Sequence, residues 1–151
     1  MKICYIETAY DQYKLINQLF NACKKLNYDF VLLLSDHNLN DIYKSIGCEI
    51  KILDLDKKLD TYSSKKAYFL ERKTRFIQWK VLKRSESSIK SLINNINANF
   101  YLSYVGPESI KYITKQICEN ISSNFYFLDQ TQSGYKTICN SPYSVSGDVI
   151  N

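Results

Sequence analysis

Short apolar runs, each followed by a polar turn and then by residues at helical spacing, recur along this chain, and no other feature limits its fold as tightly. KICYIE, YDFVLLLS, CEIKILDL, ANFYLSYV and NFYFLDQ read as strands. After the first, Leu15, Ile16, Leu19, Phe20 and Cys23 repeat at the helical period, and DHNLNDIYKSIG gives a short helix ended by Gly47. ESIKYITKQICENI forms a later helix with Pro107 in its first turn, and the longest helical stretch runs from about 65 to 97, with a kink near 85–88. The unbroken run Phe30 to Leu34 suits a central strand, whereas CEIKILDL alternates more and belongs nearer an edge.

Strands separated by helices cannot pair through hairpins and need crossovers, which are right-handed. The alternation therefore predicts an α/β fold: a single Rossmann-like, doubly wound parallel sheet of five or six strands, with a long basic helical excursion before strand four. At 151 residues the chain is one domain of ordinary size. Residues 1–135 make the α/β domain, and 136–151 are a C-terminal extension or the start of a further segment. Five cysteines, odd in number and without a CxxC pair, fit a reduced compartment. No leader-like segment opens the chain, and no apolar run nears the roughly 18 residues that span a bilayer. The expected location is cytoplasmic, at most peripheral on the inner face of the membrane.

In open sheets of this kind a ligand binds beyond the carboxyl ends of the strands, where strand order reverses. That directs attention to Glu7, Thr8, Tyr10, Asp11 and Gln12 after strand one, and to Gly106, Glu108 and Ser109 after strand four. In NFYFLDQTQSGYK the apolar run gives way to Asp129, Gln130 and Thr131, which either form a third wall of the same crevice or satisfy backbone donors in a turn. IETAYDQYK holds no glycine to let backbone amides approach a pyrophosphate, so dinucleotide binding in the usual mode is not expected. A Walker A loop, a zinc spacing and a GxSxG elbow are missing too, so neither a metal nor a bound cofactor is expected. Asp36 reads as a helix N-cap, and His37, the sole histidine, as an exposed helix-start residue.

Between Lys65 and Lys90 nine basic residues face two acidic ones, a local charge of +7 in a chain of +5. Leu70, Ile77 and Val81 share a stripe that can dock on the sheet. Phe69, Phe76 and Trp79 fall on the other side among Arg72, Lys73, Lys80 and Lys83. Such a face suits an anionic membrane surface or a partner domain. Alternatively the segment is broken and its aromatics belong to the core. No nucleic-acid-binding signature accompanies it, and nucleic acid is not expected as a partner.

The opening IETAYDQYKLINQLF, with Thr8, Ala9, Tyr10 and Gln12 after an apolar strand, resembles the strand-turn-helix start of bacterial capsule and lipooligosaccharide glycosyltransferases of the GT-B type, including sialyltransferase-like ones. FYFLDQTQSGY is similar to their strand, acidic pair, glycine and aromatic, with Gln130 where a second acid stands. The resemblance covers about residues 1–135 and the acceptor-side domain only. It implies a nucleotide-sugar donor, a glycan or lipid-linked acceptor, and Glu7, Asp11 or Glu108 as the base that activates an acceptor hydroxyl. It also implies a donor-binding domain elsewhere: either the chain is a truncated product, or a second polypeptide completes it. The competing reading is a non-catalytic Rossmann-like binding or regulatory module.

Overall fold

A computed structural model describes residues 1–7, 12–35, 37–53, 86–104, 109–130 and 136–139. The excursion before strand four, including Phe69, Arg72, Lys73, Phe76, Trp79, Lys80 and Lys83, lies outside the described residues. The apolar runs become β1 (Lys2–Glu7), β2 (Asp29–Leu34), β3 (Glu49–Ile52), β4 (Phe100–Tyr104) and β5 (Asn124–Gln130), all parallel. β6 (Lys136–Cys139) completes one sheet of order β3-β2-β1-β4-β5-β6. Unlike the others, β6 is antiparallel to its neighbour, pairing Gln130 with Lys136 and Phe127 with Cys139. Only residues 131–135 separate it from β5, too few for a crossover.

Helices α1 (Tyr13–Lys25), α2 (Asn40–Tyr43, flanked by single 3-10 turns), α3 (Glu86–Ile96) and α4 (Ser109–Asn120) cover the two faces. Alternation along the strands decides which side chains each layer receives. Cys4, Ile6, Val31, Leu33, Tyr101, Phe125 and Phe127 meet Ile89, Ile93 and Ile96 of α3 and Ile113, Ile117 and Cys118 of α4. Tyr5, Phe30, Leu32 and Leu34 meet Ile16 and Cys23 of α1 and the stripe Leu39, Tyr43, Ile46 around α2. The middle strands β1 and β2 are apolar on both faces for this reason, and β3, exposed and half-buried by turns, lies at the sheet margin. Gly47 adopts φ 79° and ends the turn after α2, a left-handed cap that a residue with a Cβ takes only with strain.

Two hydroxyls tie elements together inside the core. The Tyr101 hydroxyl donates to the Ile93 carbonyl at 2.9 Å and accepts from the Ala98 N–H at 3.2 Å, which closes the end of α3 onto β4. Ser103 Oγ donates to the Ile6 carbonyl at 2.9 Å across the β1–β4 seam. Replacing Tyr101 by Phe removes both bonds at a fully buried position, and should lower stability by about 1–3 kcal/mol in urea unfolding.

Burial pushes the Cys118 thiol up to about 12, and Cys4 is raised further by burial and by Cys118 beside it. An unfolded thiol ionises near ~8.5. Folded-state values above that make both thiols stabilising below about pH 8.5, a contribution lost as pH rises toward 12. Unfolding free energy should therefore fall with pH above about 8.5, by up to ~1.4 kcal/mol per pH unit for each thiol. Urea unfolding at pH 8, 9 and 10 in reductant should show a shallower fall for the Cys4→Ala, Cys118→Ala double variant. At pH 8 neither thiol of the native chain should react with a disulfide reagent, while the half-buried Cys48 should.

Candidate active-site edge

Parallel strands all leave the sheet on the same side. The order β3-β2-β1-β4-β5-β6 reverses between β1 and β4, so the switch point is the gap beyond Glu7 and Tyr104. Leu34 pairs with Glu7 on one side, with the Ser35 N–H donating to the Glu7 carbonyl at 3.0 Å. On the other side Ile6 pairs with Ser103, one residue before each strand ends at Glu7 and Tyr104. β5 neighbours β4 and ends at Gln130. The connections that leave β1, β4 and β5 therefore depart from one edge of three adjacent strands.

Glu7 is a charged residue at this edge, and it is only 2% exposed. Its carboxylate accepts a hydrogen bond from the Tyr43 hydroxyl at 2.8 Å. Tyr43 is itself fully buried, in the stripe that docks α2 on the sheet, and the ring of Tyr13 stacks on it at 6.1 Å with 15° between planes. The Tyr13 hydroxyl and Ser45 Oγ lie 2.9 Å apart, so the start of α1, the end of α2 and the end of β1 form one linked unit. Chemically this is a buried carboxylate held by a phenol of the helix layer, and it fixes the carboxyl end of β1.

Of the residues singled out in the sequence, Glu7 stands at the switch point with its side chain buried. Gln12 precedes α1, half-buried, and its carbonyl accepts the Ile16 N–H at 2.9 Å. Ser109 opens α4, and Asp129 and Gln130 close β5, paired with Thr137 and Lys136. Thr8, Tyr10, Asp11, Asp36, Gly106, Glu108 and Thr131 lie outside the described residues. Two residues gain weight from the structure. Tyr43 was concealed as one more residue in an apolar stripe, although a buried phenol needs a partner and so carried a signal. Tyr104, half-buried, ends β4 at the switch point itself. Among the described residues no group of three or more His, Cys, Asp or Glu side chains could hold a metal ion, and no helix is long and apolar enough to cross a membrane. A depression of about 440 Å³ along α3, lined by Ser87, Ser88, Ser91, Leu92 and Asn95, has no titratable group in its lining.

No family model matches the sequence, and no curated protein matches it either. Solved structures do match in shape. A UDP-N-acetylglucosamine 2-epimerase from Listeria monocytogenes, so described provisionally, superposes with a TM-score of 0.58 at 11% identity, over 85% of this chain and 30% of that one. A spinosyn rhamnosyltransferase complexed with thymidine diphosphate gives 0.58 at 8% identity, over 84% of this chain and 34% of its own. The calicheamicin glycosyltransferase CalG4 gives 0.56 at 8% identity, over 87% and 34%. The likeness is one of fold. It shows a Rossmann-like α/β domain like one found in these proteins, and the chain spans about a third of the length of these solved structures.

The Glu7–Tyr43 contact is open to a double-mutant cycle. A hydrogen bond to a buried carboxylate couples its partners by about 1.5–3 kcal/mol. Tyr43→Phe and Glu7→Gln should each destabilise the chain, and the double variant should cost less than their sum by roughly that coupling, read from urea midpoints at pH 7.

Proposed function

We propose that the chain is the acceptor-side half of a glycosyltransferase that uses a nucleotide-sugar donor and is completed by a donor-binding domain, in the same or another polypeptide. The observation that carries this reading is the switch point between β1 and β4: the connections after β1, β4 and β5 leave one edge together, the first of them without a glycine turn for phosphate. A crevice of that composition favours a hydroxyl-rich acceptor over a pyrophosphate. The shape match to about a third of the length of glycosyltransferases and nucleotide-sugar epimerases supports a further, donor-binding domain.

In this reading Asp11 or Glu108 takes the proton from an acceptor hydroxyl as its oxygen attacks the anomeric carbon, and the bond from that carbon to the nucleoside diphosphate breaks. Thr8, Tyr10, Gln12, Gly106, Ser109, Asp129, Gln130 and Thr131 line the acceptor side, and the second domain bears the charge on the leaving group. Glu7 acts from beneath, by fixing the end of β1. The product is a surface polysaccharide or lipid-linked glycan of the kind made by capsule and lipooligosaccharide enzymes, the sialyltransferase-like group included. The aromatic and basic residues Phe69, Arg72, Lys73, Phe76, Trp79, Lys80 and Lys83 give the chain a means of resting on an anionic membrane surface where such acceptors reside. The second reading, a non-catalytic binding or regulatory module, is favoured by the lack of a nucleotide motif in the sequence.

Activity should appear when the chain is combined with a donor-binding α/β domain encoded beside it, assayed as transfer from radiolabelled nucleotide sugars to a lipid extract. Asp11→Asn or Glu108→Gln, whichever is the base, should lower turnover by about 10²–10⁴-fold. Transfer unaffected by either change would remove the assignment of the base, and no transfer with any partner domain would favour the regulatory module. Sedimentation with anionic vesicles at low salt should fall when Trp79 and Lys80 are both changed to Ser.

A further inference from the structure

The sheet ends at β3, and among the described residues no strand pairs with the outer side of Glu49–Ile52. The direction of the backbone groups along that edge follows from one bond. The Leu53 N–H donates to the Leu34 carbonyl at 2.8 Å, and alternate residues of a parallel strand turn to the same neighbour. Glu49 and Lys51 therefore direct their N–H and C=O groups to β2, while those of Ile50 and Ile52 point outward. Side chains alternate between the two faces. Ile50 and Ile52 pack half-buried against the α1–α2 layer, and Glu49 and Lys51 stand on the opposite face, exposed, with carboxylate and ammonium 3.2 Å apart.

An outward row of donors and acceptors is a template for another strand, and charged side chains are a usual means of blocking it. They block only where the incoming strand brings the same sign. Glu-Ile-Lys is self-complementary in this respect. In an antiparallel pairing with a twofold axis at Ile50, that residue exchanges both of its outward hydrogen bonds with Ile50 of the other copy. Glu49 then lies opposite Lys51 of the other copy, and Lys51 opposite Glu49, in non-hydrogen-bonded pairs whose side chains approach closely. The same register sets Ile52 opposite Cys48, both half-buried. We propose that a second copy of this chain pairs with the β3 edge in this register, joining two sheets into one across a twofold axis. The edge strand has four residues, so the contact belongs to the weak, transient class of interfaces.

Sedimentation equilibrium of the intact chain at low salt, from about 10 µM to about 1 mM, should show a reversible monomer–dimer equilibrium. Reductant keeps the free thiol of Cys48 from making the link covalent. Lys51→Glu sets acid against acid across the axis, and Glu49→Lys sets base against base. Each should weaken the dimer about tenfold or more, because two attractive cross-strand pairs become repulsive. Both side chains are exposed, so the melting temperature of the monomer should not change. Mixing the Lys51→Glu variant with the Glu49→Lys variant makes every cross-strand pair opposite in sign again, and the mixture should associate more tightly than either variant alone. A chain that stays monomeric over the whole range overturns the inference, and so does a dimer that neither substitution weakens. A mixture no more associated than its components overturns the pairing of Glu49 with Lys51, and the register with it.

Discussion

β1 is the strand on which the domain is assembled. It pairs with β2 over Lys2 to Glu7 and with β4 over Ile3 to Ile6, so it joins the two halves of the sheet. Cys4 and Ile6 point to the α3–α4 layer and Tyr5 to the α1–α2 layer, which makes this short segment the point where both cores meet. A strand buried on both faces has no tolerance for polar residues except at its ends, and the one acid it carries is placed at its carboxyl end. That acid is then secured by a phenol from the helix layer rather than left to solvent.

The helix layers differ in how they reach the strand ends. On one side Tyr13, Tyr43 and Ser45 tie α1 and α2 to β1 through rings and hydroxyls. On the other, Ile89, Ile93 and Ile96 of α3 supply packing, and Tyr101 closes the helix end onto β4. Lys111 and Thr114, both buried in the first half of α4, place polar groups in that layer as well, on the helix that follows the β4 strand end. The two sides of the switch point are therefore held by different chemistry, polar and linked on the β1 flank, apolar with a few polar insertions on the β4 flank.

Much of this fold is legible in the amino-acid order. FVLLL announces a strand covered on both faces, the Leu15-Ile16-Leu19 spacing announces its helix, and Gly47 marks where a helix must stop. β3 could be placed at the margin from its alternation alone. The direction of β6 was also accessible, since the five residues before it exclude a crossover, but strand-like character says nothing of direction until the connection is measured. The candidate site was legible as an address and not as a set of contacts. Glu7 was recognisable as a polar residue at a strand end, but its partner lies 36 residues away in a segment whose pattern reads as pure packing. Local spacing cannot reveal a bond between residues that only the crossover brings together.

The burial of β1 on both faces has a consequence of its own. Successive side chains of this strand serve alternate layers, so a single residue added within it would send every side chain beyond that point to the wrong layer. Descendants of this domain should therefore keep the length of β1 unchanged while other positions vary.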